Sequence, residues 1–461
     1  MHLRLQEEPE RHRRNALWPL LALVFLSHML VALLIWKISG PSAFFNPDTG
    51  HYVLSADSLR HGSFSVNGAP EIFRTPGYPL LLVPAVASGR LVFVALLENF
   101  VLATLTAWLI WRIAAHLFPG TKAGWWAVIL YCFEPIGFVY SQQLVSENAF
   151  MALLLLFLWL FLRFLDSPTY GRLSLAALGL AGATYVRPVS LYLPFVLSMV
   201  LLFFPCGLRL RARLARALAF PLVILLLLAP WVARNALVAG YSGFSSSGDW
   251  NLYFYSAAAV QAKLDGRDFF ETQIAMGANN NDLYFQLHPE RRAWTPGRIA
   301  RAQGSEARQI ITGHWPTYVP IHLKGCLVVL FAPGATEILK MIRLYPEAGG
   351  LMARLQNEGF LAALLWLVRT YPVTAFLLPL LALQLALYYI LAVFGLRHLT
   401  LAVRITWLVL GGYFVLISGM PGAVARYRGP LMPMVCICAG AAMAYLWAKR
   451  GKAASVGASQ A

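Results

Sequence analysis

The sequence predicts an all-α polytopic membrane protein, and two observations support this fold class. Of the 461 residues, 59% are hydrophobic and only 12% are charged, whereas a soluble domain averages roughly 45–50% apolar and about 25% charged residues. The apolar residues also gather in long runs of the length that a membrane-spanning helix needs, roughly 20 residues. Lipid is therefore the solvent that suits this composition.

Ten apolar runs are predicted to span the membrane, although the fifth is short and is expected to be tilted or partly re-entrant. The runs cover 16–38, 91–113, 123–141, 144–164, 173–187, 189–205, 218–238, 373–395, 401–419 and 429–447. The first run follows three arginines and exceeds the roughly 7–15 apolar residues of a cleavable signal, so it is expected to remain as an anchor.

The basic residues indicate the orientation of these spans, because cytoplasmic loops carry an excess of Lys and Arg. With the N-terminus inside, the inner segments contain Arg11, Arg13, Arg14, Lys122, Arg163, Arg172, Arg209, Arg211, Arg213, Arg216, Arg397, Arg404, Lys449, Arg450 and Lys452. This topology accounts for much of the formal net charge of +17 without nucleic acid, and it places both termini inside.

Two long segments then fall on the outer side. We predict an N-terminal transmembrane module over 16–238 that includes a first outer loop over 39–90, a large outer loop over 239–372, C-terminal transmembrane helices over 373–447, and a cytoplasmic tail over 448–461. Within the large loop, Thr295 and Pro296 predict the start of a helix near 297–312. The apolar stretch 319–334 is predicted to be an interfacial helix, since a further span would reverse the orientation of everything after it.

The lengths of the loops restrict the chemistry. The inner segments are too short to hold a nucleotide-sugar domain, and the sequence contains no P-loop and no dinucleotide-binding fingerprint. Substrate chemistry is therefore expected at the outer face, where ATP and nucleotide sugars are not supplied. An activated group at that face has to arrive on a lipid.

The first outer loop contains the main candidate for catalysis. Asp48, Tyr52 and Ser55 are spaced to line one face of a short helix that starts near Pro47. A carboxylate at the membrane surface can accept a proton from an attacking hydroxyl or amine as a general base. The alternative is an acid that caps the helix or favours its dipole. His51 could share a divalent metal with Asp48, although two ligands are fewer than metal sites usually use.

The first outer loop ends in the segment 74–79, which reads Arg-Thr-Pro-Gly-Tyr-Pro. The prolines restrict the backbone and the glycine permits a tight turn. This segment would hold Arg74 and Tyr78 rigidly near the interface, where both could contact substrate. The alternative is a plain turn that leads into the next apolar run.

Ionisable residues within the apolar runs are functional candidates by default. Glu147 opens the fourth run toward the outer side, whereas Glu98 and Glu134 are explained as well by hydrogen bonds between helices. Four arginines lie on the predicted outer side, against the positive-inside rule: Arg187, Arg234, Arg426 and Arg428. Arginine binds phosphate in a bidentate manner, so several together would form a lipid-phosphate site. Each one alone is also explained by an interaction with lipid headgroups.

Taken in order along the chain, these residues resemble those of the GT-C membrane glycosyltransferases, specifically the bacterial branch similar to protein O-mannosyltransferases and lipid A aminoarabinose transferases. The matching residues are Asp48, Tyr52, Leu59, Gly62, the segment 74–79, Ser146, Glu147, Arg187, Pro188, Pro230, Trp231, Arg234, Asn235, Arg426, Tyr427 and Pro430. The resemblance implies a bundle of about 10–13 transmembrane helices, with interfacial helices in the two large outer loops. It also implies a polyprenyl-phosphate sugar as donor, inversion at the anomeric carbon, Asp48 as the base and Arg74 near the donor phosphate.

Two departures narrow the resemblance. Protein O-mannosyltransferases carry an adjacent Asp-Glu pair where this chain has Asp48 and Thr49, and aminoarabinose transferases carry Lys-Pro-Pro where it has Arg74, Thr75 and Pro76. Both of those specific substrates are therefore disfavoured. We expect instead a transferase that modifies a glycan or lipid of the cell envelope, with a protein acceptor as the remaining possibility.

The predicted function is that of a glycosyltransferase of the bacterial inner membrane with its active site facing the periplasm. Asp48 is predicted to be the catalytic base, Arg74, Arg187, Arg234 and Arg426 to bind the donor phosphate, and Tyr52, Tyr78, Glu147 and His51 to contact substrate. A divalent metal is a candidate cofactor, and none is required by the sequence. The alternatives are a transporter or flippase of lipid-linked sugars, and an O-antigen ligase or polymerase that uses a diphosphate-linked glycan.

Overall fold

A computed structural model describes residues 10–203, 208–334, 336–346, 351, 354 and 359–458 of the chain. Its helices, numbered in chain order, are α1 (Glu10–Ser39), α2 (Thr49–Arg60), α3 (Gly77–Ala87), α4 (Leu91–Leu117), α5 (Ala123–Cys132), α6 (Pro135–Ser141), α7 (Glu147–Asp166), α8 (Tyr170–Val186), α9 (Leu193–Phe203), α10 (Leu210–Ala239), α11 (Ser247–Asn251), α12 (Ala258–Asp265), α13 (Phe269–Ala275), α14 (Asn281–Leu287), α15 (Pro296–Gly313), α16 (Trp315–Phe331), α17 (Thr336–Met341), α18 (Phe360–Thr370), α19 (Pro372–Leu396), α20 (Leu401–Ser418) and α21 (Met432–Ala458). Short 3-10 helices cover Pro41–Phe44, Pro188–Ser190, Pro289–Ala293 and Ala425–Leu431, and a π-helix covers Leu252–Ala257.

Among the described residues, seven helices are long and apolar enough to cross a membrane, and one bent pair of helices brings the number to as many as eight. The seven are Leu17–Ser39, Leu91–Leu117, Glu147–Asp166, Leu210–Ala239, Pro372–Leu396, Leu401–Ser418 and Ala425–Lys449. The chain is therefore a multi-pass membrane protein, and the predicted all-α class is confirmed.

Three of the ten predicted spans have a different form in the structure. The run 123–141 is divided into α5 and α6, which meet at 61°. Pro135 lacks the N–H that a continuous helix needs at this point, and the Glu134 side chain caps α6 by accepting from the Gly137 N–H at 2.8 Å. The runs 173–187 and 189–205 fall on α8 and on the apolar helix Pro188–Phe203, which are shorter than the seven long helices.

The core of the N-terminal module lies around α7, which packs against α4 and α8. Phe157 and Phe161 are one helical turn apart on α7, so they face the same neighbour. Both rings contact Phe220 of α10, with ring centroids 6.4 and 5.8 Å apart. These large apolar rings leave the beginning of α7, with Glu147, at one end of a packed core.

The C-terminal helix α21 packs against α5 and α19 through glycines. A Cβ on Gly395 of α19 would collide with the carbonyl of Cys438, and a Cβ on Gly440 would lie 2.5 Å from the Ala127 nitrogen. Small residues of this kind let membrane helices approach until their backbones touch. The 3-10 segment Ala425–Leu431 immediately precedes α21, so this packing also positions Arg426.

The first long loop contains α2 and a two-stranded hairpin, β1 (Ser65–Val66) with β2 (Ala69–Pro70). Asn67 and Gly68 form its turn with positive φ angles of 51° and 80°, as a type I′ turn requires.

The second long segment contains the predicted helix near 297–312, which is confirmed as α15. Its first turn is capped by Thr295, whose side chain accepts from the Arg298 N–H at 3.4 Å. The apolar stretch 319–334 forms most of α16, which packs against α20 and the segment Ala425–Leu431. That α16 lies at the membrane interface stays a prediction.

We predict that Gly395→Ala lowers the free energy of unfolding by about 1–3 kcal/mol, because the added methyl group overpacks the contact with α21. Gly412→Ala is the matched control, since Gly412 lies in the neighbouring apolar helix α20 and a Cβ there meets no atom within 4 Å. Thermal unfolding of the two purified variants in detergent measures the difference. Equal melting temperatures for both variants would contradict the proposed packing.

Candidate functional site

Asp48 stands at the N-cap position of α2, but its side chain caps nothing. The neighbouring residues hold this turn instead: the Asn46 side chain accepts from the Asp48 N–H at 3.2 Å, and Thr49 Oγ1 accepts from the Asn46 N–H at 2.9 Å. The helix-cap interpretation of Asp48 therefore does not describe what its carboxylate contacts. The carboxylate is left available for other partners.

The partners of the Asp48 carboxylate are two arginines. Arg74 Nη2 donates to Oδ1 at 2.6 Å, and Arg426 Nη1 donates to Oδ2 at 2.9 Å. Burial by itself would raise the pKa of the Asp48 carboxyl. The two guanidinium groups outweigh burial and lower that pKa to about 2. Asp48 is therefore ionised at any physiological pH and is a weak base while both arginines hold it.

Glu147 brings a third arginine into the same cluster. Its Oε1 accepts from Arg187 and from Nε of Arg426, while Oε2 is buried and has no hydrogen-bond partner in the described part of the chain. Arg426 thus joins Asp48 to Glu147. We call Asp48, Arg74, Glu147, Arg187 and Arg426 the charged cluster.

Aromatic side chains surround Arg74. Its guanidinium carbon lies 4.9 Å from the ring centroid of Tyr52 and 4.9 Å from that of Phe73. The Tyr52 hydroxyl is 3.4 Å from Arg74 Nη1 and 3.1 Å from the Ser146 hydroxyl. Tyr78 packs edge-on against Tyr52, with ring centroids 4.8 Å apart. The predicted substrate residues Tyr52, Tyr78 and Glu147 therefore meet at the charged cluster.

Glu71 holds the turn that presents Arg74, and the sequence analysis missed it. Its Oε1 accepts from the backbone N–H groups of Phe73 and Arg74 at 2.6 and 2.9 Å. Burial would raise the pKa of Glu71, but the contact with His51 and these N–H groups together hold it below its usual value. The sequence signal for this role is the position of the acid, which precedes the two N–H groups by two and three residues. A helix-capping side chain accepts at the same spacing.

The same turn is attached to the end of α8. Thr75 Oγ1 donates to the carbonyl of Val186 at 3.1 Å. A Cβ on Gly77 would lie 2.6 Å from the carbonyl oxygen of Tyr185, so only glycine fits this approach. Arg187 follows Val186 directly. Arg74 and Arg187 are therefore brought to one place by the packing of the 74–79 segment against α8.

Arg234 and His51 lie outside the charged cluster. Arg234 donates to the backbone carbonyl of Glu71 at 2.7 Å and to that of Phe64, and its guanidinium stacks on Trp231. His51 Nδ1 is 3.7 Å from Glu71 Oε2. Their predicted contacts with donor phosphate and substrate therefore have no support from the geometry.

Arg428 is also used for structure. It is almost fully buried, and its Nη1 donates to the carbonyls of Val329, Leu330 and Ala332 at the end of α16.

As for a metal, no group of three or more His, Cys, Asp or Glu residues that could hold one occurs within the described ranges. Both oxygens of Asp48 are instead bound by arginines.

The charged cluster has an excess of positive charge, since three guanidinium groups face two carboxylates. Arginine side chains that are paired with carboxylates can bind another anion, such as a phosphate, in exchange. Glu147 at the first turn of the long apolar helix α7 places the charged cluster at the end of a membrane helix. The fold and the site thus define a multi-pass membrane protein that contains an arginine-rich charged cluster.

A family model matches part of this chain. Residues 74–233 match the family model described as dolichyl-phosphate-mannose-protein mannosyltransferase. The match covers about a third of the chain and agrees with the predicted resemblance to the GT-C superfamily. It contains Arg74, Glu147 and Arg187, while Asp48 and Arg426 lie outside it.

Two solved structures are similar to this chain at a low level. The crystal structure of ArnT from Cupriavidus metallidurans bound to undecaprenyl phosphate has 15% sequence identity and a TM-score of 0.39, and the alignment covers 91% of this chain and 77% of that chain. The crystal structure of the same protein in the apo state has 14% identity and a TM-score of 0.34, with the same coverage. A search among curated proteins gives no match.

We predict that Asp48→Asn lowers the stability of the protein by about 1–2 kcal/mol at neutral pH. Because the pKa of about 2 in the folded protein lies below the ordinary pKa of 3.8, the contribution of Asp48 is complete above about pH 4 and is lost as the pH falls through about 2. Thermal unfolding of both proteins between pH 3 and 7 measures this, with a stability difference that is constant above pH 5 and shrinks below pH 4. A difference that grows on acidification would contradict the ion pairs.

Proposed function

We propose that this protein transfers a sugar from a polyprenyl-phosphate donor to a lipid, glycan or protein acceptor of the cell envelope, at the extracytoplasmic face of the inner membrane. Asp48 is the general base, and Arg74, Arg187 and Arg426 bind the donor phosphate. The observation that supports this most directly is the carboxylate of Asp48 held between Arg74 and Arg426. The proposed base thereby directly contacts two of the proposed phosphate ligands, Arg74 and Arg426.

The charge of the cluster fits this donor. A polyprenyl-phosphate sugar is a phosphodiester with one negative charge, and the charged cluster has an excess of one positive charge. Arg74 and Arg426 are pre-placed donors that need only exchange the Asp48 oxygens for phosphate oxygens. Pre-placed donors of this kind stabilise charge where it develops in a transition state.

Donor binding also activates the base. While both arginines hold Asp48, its pKa is about 2, so it is a poor proton acceptor. When the donor phosphate draws the arginines away, the burial of Asp48 is no longer offset and its pKa rises. The base therefore becomes effective only in the presence of the donor.

In the proposed reaction one bond forms at the anomeric carbon and one bond breaks there. The acceptor hydroxyl or amine attacks the anomeric carbon from the side opposite the phosphate and loses its proton to Asp48. The bond between the anomeric carbon and the phosphate oxygen breaks, and polyprenyl phosphate leaves with the electron pair. The negative charge that grows on the phosphate is bound by Arg74, Arg187 and Arg426. The product sugar linkage has an inverted anomeric configuration.

We predict that Asp48→Asn folds but loses sugar transfer by at least about 100-fold, since general-base catalysis contributes roughly 10²–10⁴-fold. The assay uses purified protein, radiolabelled polyprenyl-phosphate sugars and an envelope extract as acceptor. Asp57→Asn is the matched control, because Asp57 lies on the same helix and its carboxylate pairs with the exposed Arg60, away from the charged cluster. Full activity of Asp48→Asn would exclude Asp48 as the base.

We predict that Arg426→Lys lowers transfer by about 100- to 1,000-fold, the usual cost of one lost transition-state donor. Lysine cannot contact Asp48 and Glu147 together as the guanidinium of Arg426 does. Arg234→Lys should retain activity per folded molecule, because Arg234 binds backbone carbonyls outside the charged cluster. The opposite order of the two variants in the same assay would assign the phosphate to Arg234 instead.

The alternative functions predict different products in the same assay. A flippase would move the lipid-linked sugar across a vesicle membrane and leave the sugar on its carrier. An O-antigen ligase or polymerase would prefer a diphosphate-linked glycan, which carries an additional negative charge. The single excess positive charge of the cluster favours the monophosphate donor. Release of polyprenyl phosphate from a monophosphate donor, with no release from a diphosphate donor, would exclude both alternatives.

A further inference from the structure

Three aromatic side chains lie beside the charged cluster, two of them in the segment 239–372 and one in the first loop. The π-helix Leu252–Ala257 joins α11 to α12, and π-helical turns often occur at functional sites. The ring centroid of Trp250 lies 5.7 Å from that of Tyr255 and 5.7 Å from that of Phe73, which it meets edge-on. We call Phe73, Trp250 and Tyr255 the aromatic arc.

Both ends of the aromatic arc lead to the partners of Asp48. At one end, the Arg74 guanidinium lies over the ring of Phe73. At the other end, the Tyr255 ring lies so close to Gly422 that a Cβ there would be 2.8 Å from it, and Gly422 precedes Arg426 by four residues. Arg74 and Arg426 bind the two oxygens of Asp48. The aromatic arc therefore lies between the turn that carries Arg74 and the segment that leads to Arg426.

Tyr255 is the member of the arc with the most freedom to contact a substrate. Its ring is half-buried, and within the described part of the chain its hydroxyl makes no hydrogen bond. Burial raises the pKa of Tyr255, and the neighbouring Tyr427 and Asp48 raise it further. The hydroxyl is thus protonated at physiological pH, and the charge of Asp48 favours this protonated form.

We propose that the aromatic arc binds the ring of the sugar that is transferred, and that Tyr255 makes the main contact. A sugar ring has an apolar face of C–H groups and an edge of hydroxyl groups. Trp250 and Tyr255 offer an apolar surface for the first, and the Tyr255 hydroxyl offers a hydrogen-bonding group for the second. This inference rests on the proposed function and adds the site for the sugar to that for the phosphate.

The chemistry of the arc favours a sugar over the other parts of the donor. The face of an aromatic ring is electron-rich and does not attract an anion, so the phosphate is better placed on the arginines. The polyprenyl chain belongs in lipid, whereas Trp250 and Tyr255 lie in a segment whose helices α13 and α14 also carry acidic and amide side chains. The sugar is the part of the donor that is both neutral and amphipathic.

The test compares binding of donors with and without a sugar. The probes are polyprenyl phosphate and polyprenyl phosphates that carry mannose, glucose or 4-amino-4-deoxyarabinose, and their affinities are measured with the detergent-purified full chain. Tyr255→Leu should weaken binding of the preferred sugar-bearing probe by roughly 5- to 10-fold, since an aromatic contact contributes on the order of 1 kcal/mol. Its affinity for bare polyprenyl phosphate should stay within about 2-fold of the wild type.

Two further variants keep the result interpretable. Tyr255→Phe retains the ring and should keep most of the affinity for the sugar-bearing probe. Phe270→Leu removes an exposed aromatic ring of the same segment that is not part of the arc, and should bind every probe as the wild type does. All variants are compared at equal melting temperature and monodispersity, so that loss of fold is not read as loss of binding.

The outcomes separate this inference from the proposed function. If Tyr255→Leu binds all probes as the wild type does, or loses all of them in equal proportion, the arc is not the sugar site, while Asp48→Asn still tests the transferase. If the wild type binds no polyprenyl phosphate of any kind, both proposals fail. If the wild type binds bare polyprenyl phosphate as tightly as every sugar-bearing probe, the sugar has no site and only the inference is overturned.

Discussion

The two ion pairs of the Asp48 carboxylate organise the functional end of this protein. They join residues that are 26 and 378 positions apart in the chain, and Arg426 extends the connection to Glu147. Charges taken out of water are costly unless they are paired with good geometry. The first loop, the beginning of α7 and the approach to α21 must therefore come together, because each one supplies a charge that the others leave unpaired.

This pairing has a chemical consequence for the proposed transfer. A carboxylate that holds two arginines is a weak base, and arginines that hold a carboxylate are occupied ligands. A donor phosphate that takes the arginines changes both properties at once. Binding of the donor and activation of the base are then coupled through the same two contacts, with no need for a large movement of the surrounding helices.

The arginines on the predicted outer side divide into two groups by what they contact. Arg74, Arg187 and Arg426 contact carboxylates, which a phosphate can replace. Arg234 and Arg428 donate to backbone carbonyls of the first loop and of α16, which need a donor to remain satisfied. The large segment contributes no charge to the cluster but brings Trp250 and Tyr255 beside it, so phosphate and sugar would be bound by different parts of the chain.

The sequence by itself determined the membrane class, most of the long helices, the start of α15 and five members of one site, because hydropathy, capping residues and unusual charges are local signals. It could not show that Pro135 and Glu134 break a run of apolar residues, since that run has the length of one span. Nor could it separate Arg426 from Arg234, or reveal Glu71 and Tyr255. Those distinctions depend on which groups meet in space, and only the packing of distant segments, driven by the need to pair buried charges and carbonyls, decides that.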